Sequence, residues 1–495
     1  MVETLSPGVF VQEIDASTIV PTVSNSIAVF SGNFDKGAVD AYTLITSVSD
    51  LISFYGYPSN TNYNDWYQAY DFLQYGNKLL VSRASNYGGT GTQVSGAAVD
   101  ANTSAGVDEV VLSTGDGSLF TAGDWIAFED PNDGGVDLAY WYEVVSIATD
   151  TLTLDRVLEQ DITIATGDAV FTVEIATNGV FEAVDVDAAA EAVTNDYEYI
   201  TAMQPILNAS DYETKETSLA FVNTADSKLK LFGRNPGNWV DDLEIAIATP
   251  SAFDAATPSE AFTGIALDDL FDYAPTGTEV GIIVKSGDEI VEVWTVDFDS
   301  TAKDFNNKST YVEDVINNQS TYIFAKENTA NTGLIKDYCA SVNAVTGTTI
   351  SLTNASDSAI QTDDLLTAYE LFENKEELDI DIVIANELDA GLSAKNLCDT
   401  RKDCIGFIGA NYADVVGKKA ATAVSNLVTW RKTGDINFNN MFVVACGNYM
   451  YRYDRYNDKY RWVNIAGSIA GLRAQTSMNR ASWWASAGQI LGSVA

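Results

Sequence analysis

The stretch LDIDIVIANELDAGLSAKNLCDTRKDCIGFIGA, Leu378 to Ala410, carries the clearest periodicity in this 495-residue chain. LDIDIVIAN and CIGFIGA are short, β-branched apolar runs of strand length, and AKNLCDTRKD between them is helical. TDDLLTAYELFEN, upstream, reads as a helix. Downstream, VVGKKAATAVSNLVTWRKTG reads as a helix with Ala420, Val424, Leu427 and Val428 on one face, and NMFVVACG as the next strand. Helices alternating with apolar strands predict a sheet covered by helices.

The same grammar recurs at the start of the chain. SIAVFSGNFDKG reads as a strand and turn, VSDLISFYGYP as a helix stopped by Gly56 and Pro58, NDWYQAYDFLQYGN as a helix with Trp66, Ala69, Tyr70 and Leu73 on one face, and KLLVSRA as a strand. The first twenty residues look extended. From Val107 to Ile175, short alternating strands punctuated by Gly and Asp predict a small antiparallel sandwich or barrel. EVGIIVKSGDEIVEVWTVDF reads as a hairpin about Gly287, and STYVEDVINNQSTYIFA as a helix and a strand. The predicted class is a multidomain α+β or α/β chain. Its expected parts are a discontinuous core of residues 1–22 plus 331–495, a middle α/β domain of 23–88 plus 216–330, and an acidic β-rich insertion of 89–215.

Composition narrows the chemistry. There is no histidine, which removes the commonest general base and metal ligand. The formal charge of −43 excludes bare nucleic acid as a partner, because that needs a basic footprint. The charge is uneven: Ala84 to Thr214 holds 24 acidic residues and one base, whereas Arg401 to Ala495 holds 12 bases and 5 acids. The late segment is therefore expected to meet acidic faces, including those of another copy. None of the four cysteines forms a C-x-x-C pair, so no zinc site is expected, and Cys404 and Cys446 read as buried thiols. MVETLSPGVF lacks the marks of a signal peptide, and no apolar run approaches membrane-span length.

Catalytic motifs fail one by one. Gly417-Lys418-Lys419 lacks the spacing and hydroxyl of a phosphate loop. PNDGG, near Asp130, lacks calcium-loop spacing, with Trp141 at the position of the bidentate glutamate. Asp379 and Asp381 alternate with isoleucines and are expected to face solvent rather than form a glycosidase pair. No catalytic residue, metal site or cofactor is predicted.

One late block remains. In YNDKYRWVNIAGSIAGLRAQ, Tyr456 to Gln475, an aromatic turn feeds a helix with an apolar stripe of Ile465, Ile469 and Leu472. Beside that stripe lie Ala466, Ala470 and Ala474, then Gly467 and Gly471, a composition suited to close packing. Trp462 and two tyrosines are expected to hold the helix. With SWWASAG (Ser482 to Gly488), this block resembles the contractile tail sheath proteins of T4-like bacteriophages: a Tyr-Asn-Asp turn, an Arg-Trp-Val strand, an Ile-Ala-Gly-x-x-Ala helix, then Trp and Ala-Gly. LSPGVFVQEID, FLQYGNKLLVSRA, NPGNWVDDLEIAI and NLVTWR resemble further family elements in the same order, so the resemblance covers all but the acidic insertion.

The resemblance implies a structural, non-enzymatic virion protein. It would stack as hexameric rings around a tail tube, start in a metastable extended state and contract to drive the tube through the host envelope. Implied partners are other copies of the chain, the tube, baseplate and tail terminator proteins, with no nucleic acid contact and no membrane insertion. It implies an inter-subunit arm at Leu5, Pro7, Gly8, Val9, Val11 and Ile14. It also implies a structural motif at Tyr456, Asn457, Asp458, Arg461, Trp462, Gly467, Gly471, Arg473, Trp483 and Gly488. The family's Asn-Arg-Gly segment after Ala-Gly is missing or altered here, and larger members continue beyond the position of Ala495, so a truncated core is expected. The other readings are the sheath of a related injection system, or a glycan-binding protein built on the acidic β domain.

Overall fold

The fold is described from a computed structural model, for residues 26–85, 90–103, 106–129, 142–154, 158, 164–174, 177–183, 206–215, 229–253, 267–287, 289–329, 350–356, 360, 362–432, 440–488 and 492. The arm positions Leu5 to Ile14 and the PNDGG segment lie outside these residues.

The chain enters through β1 (Ala28–Asn33), β2 (Tyr42–Ile45), α1 (Val48–Tyr55), α2 (Tyr63–Leu73) and β3 (Leu79–Ala84). A capping box starts α1, with Ser47 Oγ accepting from the Asp50 amide while the Asp50 carboxylate accepts from that of Ser47. The acidic insertion follows as β4 (Thr90–Ala98), β5 (Glu109–Val111), β6 (Trp125–Phe128), β7 (Tyr142–Ala148), β8 (Thr151–Leu154) and β9 (Ala169–Glu174), all antiparallel in the order β4-β9-β6-β7-β8-β5. A bridge from Val99 to Leu112 joins the two ends of this sheet, which closes around its own core of Val110, Ile126, Tyr142, Leu152 and Val170.

The middle region carries β10 (Thr177–Ala183), α3 (Ala209–Lys215), β11 (Leu229–Gly233), β12 (Leu243–Ala248), β13 (Val280–Ser286), β14 (Glu289–Val296), α4 (Val312–Gln319), β15 (Ile323–Glu327), β16 (Ile350–Ser351) and β17 (Thr353–Ser356). They form two four-stranded antiparallel sheets, β15-β11-β10-β17 and β14-β13-β12-β16, sharing one core with α4. The hairpin turns at Gly287 (φ +56°), as its sequence indicates. Strand β10 lies within the range expected for the insertion, yet it pairs with β11 and β17 in the middle region.

The last part holds α5 (Thr362–Glu370), β18 (Ile382–Ala385), α6 (Glu387–Arg401), β19 (Ile405–Gly409), α7 (Ala420–Lys432), β20 (Val443–Cys446), β21 (Tyr449–Asp454), β22 (Lys459–Asn464) and α8 (Ala466–Asn479). The largest mixed sheet, β2-β3-β1-β18-β19-β20, joins the two ends of the described chain. Strand β1 pairs in parallel with β3 on one side and with β18 on the other. Residues 28–84 thus share a sheet with 382–446, whereas the sequence pattern grouped 23–88 with the middle region. The local grammar of a β-α-α-β segment does not say which distant strand it will pair with.

Both sheet faces are covered, which is why its strands read as continuous apolar runs. Phe30, Val81, Ile382, Ile384 and Phe407 face a layer containing α1, α2 and α8. Val29, Leu80, Val383, Ala385 and Ile408 face α5 and α6. Asp379 and Asp381 are exposed, as their alternation indicates. Helix α7 departs from expectation: Val424 and Val428 are 60% and 45% exposed, and only Trp430 of this helix is buried. The helix lies at the sheet's edge-strand end, where Leu427 packs on Gly447, and the face carrying Val424 and Val428 is left exposed among the described residues.

The seam between the first sheet and the middle region is polar. Gly37 N donates to Asn235 Oδ1 at 3.1 Å and Arg83 Nη1 to the Pro236 carbonyl at 2.6 Å, which brings two of the resembling motifs together. Lys36 Nζ lies 3.5 Å from the Tyr322 ring centroid and donates to the Ser53 carbonyl at 3.2 Å. Burial pushes the Lys36 ammonium down to about 8, against the opposing pull of Glu292. Below that pH the residue is charged in both states and folding bears the burial cost. Between about pH 8 and 10.4 only the unfolded chain keeps the proton, so the residue's contribution to stability rises with pH. The stability of the protein relative to Lys36→Met is therefore expected to rise by on the order of 3 kcal/mol between pH 7.5 and 10.5 in urea unfolding followed by tryptophan fluorescence. A constant difference would contradict a buried, charged Lys36.

Candidate functional site

The late block folds as a hairpin, β21 and β22, followed by α8. Among the described residues the hairpin pairs with no other strand. Its register sets Tyr451 opposite Trp462 and Tyr453 opposite Tyr460, and the phase of the strands turns these four outward. Tyr451 is 57% exposed and Tyr460 62%, and their rings stack at 5.3 Å. Trp462, 39% exposed, lies 4.8 Å from the Tyr451 ring. Trp462 and Tyr460 therefore form an outer aromatic ladder and do not hold the helix, contrary to expectation. Val463, one residue on and fully buried, is the inward anchor.

The opposite phase points Arg452 and Arg461 inward, directly across from each other. Two like charges in that position repel unless each has a partner. Arg452 pairs with buried Asp71 on α2, its guanidinium 4.4 Å from the Tyr67 ring centroid. Arg461 Nε pairs with Asp454 at 2.8 Å. Fully buried Asp454 also accepts from Tyr67 Oη at 2.9 Å, Asn457 Nδ2 at 2.9 Å and the Tyr456 amide at 3.1 Å. Burial disfavours its charge, but the bonds from Tyr67, Asn457, the Tyr456 amide and Arg461 outweigh that and hold the carboxyl below its ordinary value. At Asp71 burial wins over Arg452 and raises the carboxyl.

The turn is fastened to the loop before α2. Asn457 Nδ2 donates to the Pro58 carbonyl at 2.7 Å, and Tyr456 sits 5.3 Å from Trp66 and 5.4 Å from Tyr57. Arg461 reaches Asn60 Oδ1 at 2.8 Å. Asp458 takes the left-handed turn position (φ +51°) and accepts from Tyr453 Oη.

Helix α8 then lies against α2 on its small face. A Cβ on Gly467 would sit 2.3 Å from the Gln68 carbonyl oxygen, and one on Gly471 2.9 Å from the Tyr75 ring. Ala466, Ala470 and Ala474 are fully buried, whereas Ile465 and Ile469 are only half-buried, so the Ala/Gly face makes the contact rather than the isoleucine stripe. The close approach lets Gln68 bridge both neighbours, its Oε1 accepting from Gly467 N at 2.8 Å and its Nε2 donating to the Asn464 carbonyl at 2.9 Å.

Tyr456, Asn457, Arg461, Gly467 and Gly471 thus gather around α2. Arg473 turns away and binds the carbonyls of Ser482 and Trp484. Trp483, 80% exposed, and Gly488 lie on the surface. The motif residues missed Asp454, Asp71, Arg452 and Gln68. Period two along YRYD carried the signal for two of them, because outward Tyr451 and Tyr453 force Arg452 and Asp454 inward. Among the described residues no acidic, cysteine or histidine cluster could hold a metal, and no helix is long and apolar enough to cross a membrane.

No family model matches the chain. The tail sheath protein of Vibrio phage KVP40 is 25% identical over 539 residues, covering 99% of this chain and 76% of the relative. That of Enterobacteria phage T4 is 26% identical over 528 residues, covering 99% and 75%. A solved sheath tail protein from Desulfitobacterium hafniense matches with a TM-score of 0.37 and 10% identity, over 94% of this chain and 62% of that one.

Gly467→Ala is expected to cost about 2 kcal/mol, because the backbone of Gln68 cannot yield as a side-chain end would. Asp454→Asn is expected to cost about 3 kcal/mol by leaving Arg461 unpaired. Because the native carboxyl is depressed, its contribution is present above about pH 4 and fades below it, so the gap between wild type and Asp454→Asn should close in acid. Urea unfolding of the two variants at pH 7 and pH 3 checks both magnitudes and the sign.

Proposed function

We infer that this chain, a bacteriophage tail sheath protein homologous over nearly its full length to those of T4 and KVP40, polymerises through its late hairpin into stacked hexameric rings around a tail tube. As a sheath component it is a structural, non-enzymatic part of the virion. The sheath starts extended and contracts to drive the tube through the host envelope, with baseplate and terminator proteins at its two ends.

The observation that carries the assembly step is the hairpin itself. It is a two-stranded sheet that pairs with no other strand among the described residues, presents an exposed aromatic ladder, and is tied to α2 through the Arg452–Asp71 ion pair and the hydrogen bond from Tyr67 to buried Asp454. Free strand edges accept an added strand, and a rimmed apolar patch marks a contact. The segment from Leu5 to Ile14, rich in valine and isoleucine, would supply a strand of suitable sequence character to a neighbour. A connection made by such arms would keep subunits joined while rigid bodies rotate. The first large sheet, with the hairpin, forms the body facing the tube. The acidic insertion, with its own closed core, stands outside it.

Negative-stain electron microscopy of the purified chain, alone and with purified tail tube, tests this reading. Hollow tubes with a regular helical repeat are expected, and their absence in both cases would overturn polymerisation. The double variant Tyr451→Lys/Tyr460→Lys should keep the circular dichroism and melting temperature of the parent but form no tubes. Tubes from the variant would remove the aromatic face from the contact.

A further inference from the structure

Two thiols that nothing above employs lie in contact inside the core. Cys398 is on the last turn of α6 and Cys404 just before β19, with Sγ atoms 3.8 Å apart and both residues buried. The intervening chain turns sharply: Arg401 is buried and donates to the carbonyls of Phe372 and Leu378, Lys402 takes the left-handed conformation (φ +62°), and Lys402 and Asp403 are exposed. Gly406 leaves the room in which Cys398 Sγ sits, since a Cβ there would lie 3.1 Å from that sulfur. The pair is held at van der Waals distance by fixed elements, and the turn that joins them carries exposed Lys402 and Asp403.

We propose that Cys398 and Cys404 are a redox site, reduced when the chain is made and converted by a peroxide into a disulfide that clasps the end of α6 to the start of β19. The two sulfurs are not equivalent. The hydrogen bond they share, with Arg401 nearby, holds Cys404 below an ordinary thiol, and the same bond together with burial pushes Cys398 up. Cys404 directly follows exposed Asp403, whereas Cys398 lies within α6, so Cys404 is the sulfur placed to make the first attack and Cys398 the resolving thiol. The Cys404 sulfur attacks one peroxide oxygen, the O–O bond breaks, and the hydroxide released takes up the proton that Cys404 lost, leaving water and a sulfenic acid. The Cys398 sulfur then displaces the hydroxyl group from the Cys404 sulfur, the S–S bond forms, and the Cys398 proton leaves with it as a second water. Two thiols and one hydrogen peroxide give one disulfide and two waters. A cytoplasm keeps such a pair reduced, whereas a released virion meets oxidising surroundings. The clasp would then form after release, and it ties two elements that pack on or lie in the six-stranded mixed sheet.

The test uses the full folded chain, exposed to hydrogen peroxide, quenched, then unfolded in excess N-ethylmaleimide without reductant. The expected result is two labelled cysteines of the four, and a tryptic species joining Asn396–Arg401 to Asp403–Lys418 that separates on reduction. Cys404→Ser should lose this species and keep three labels. Cys446→Ser should retain it, which separates loss of the pair from general damage to the core. Four labels after oxidation, or a linked species containing Cys339 or Cys446 instead, would overturn the proposal. The outcome is independent of whether the chain forms tubes.

Discussion

The contact between α8 and α2 leaves no space for a single methyl group. At Gly467 the two backbones meet so closely that a Cβ would overlap the Gln68 carbonyl oxygen. This depth is what the rest of the late region depends on. Gln68 can bridge Asn464 and Gly467 only because the helix lies so near, and Asn464 in turn caps the helix start by accepting from Ala466 N at 2.9 Å. Strand β22 runs directly into this helix, so its height above α2 sets that of the hairpin. At that height Arg452 reaches Asp71 and Tyr67 Oη reaches Asp454. A larger side chain on the small face would lift the helix and stretch every one of these bonds at once, which is why small residues outnumber large ones there.

Burying two carboxylates against two half-buried arginines is an expensive way to gain stability, since the desolvation of such ions is only offset when geometry and hydrogen bonding are complete. Here both conditions hold for Asp454, which accepts from a tyrosine, an asparagine, a backbone amide and an arginine. What the arrangement supplies is a single allowed position. An apolar underside would let the hairpin slide over α2, whereas a pair of charges with named partners fixes register and orientation together. The basic surplus of the late segment is partly absorbed in this way. Arg401, Arg452 and Arg461 are engaged with the fold, leaving Lys402, Lys418, Lys419, Arg431, Lys432, Arg455, Lys459 and Arg480 on the exposed surface.

Much of this was legible in the sequence, and the limits were physical. Strands and helices from Thr362 onward were readable because a sheet covered on both faces writes continuous apolar runs, and the Ala/Gly composition of α8 announced close packing. Sheet membership was not readable, because β1 and β18 are more than three hundred residues apart and nothing local selects one parallel partner over another. Trp462 was misplaced for a related reason. An aromatic residue before a core helix suggests burial, yet strand phase assigns it the same face as Tyr460, and Val463 takes the inner position. The apolar face of α7 was real as a pattern. Periodicity shows that such a face exists but not whether this chain covers it.

The net charge bears on how copies could meet. Chains carrying −43 each repel one another, and in physiological salt that repulsion is damped only beyond about 8 Å. Surfaces in contact lie inside that distance, so lasting contacts are favoured where acidic groups are sparse and short-range packing is dense. The hairpin meets this condition. Its outward ladder of Tyr451, Tyr453, Tyr460 and Trp462 is uncharged, Arg455 and Lys459 flank exposed Asp458 so that the turn carries a net positive charge, and Asp454 is withdrawn into the interior with its charge matched. The hydrogen bond from Tyr67 that fastens Asp454 to the core therefore also holds an acidic group away from the hairpin's surface. One buried carboxylate helps to fix where the proposed contact is presented and withdraws one negative charge from it.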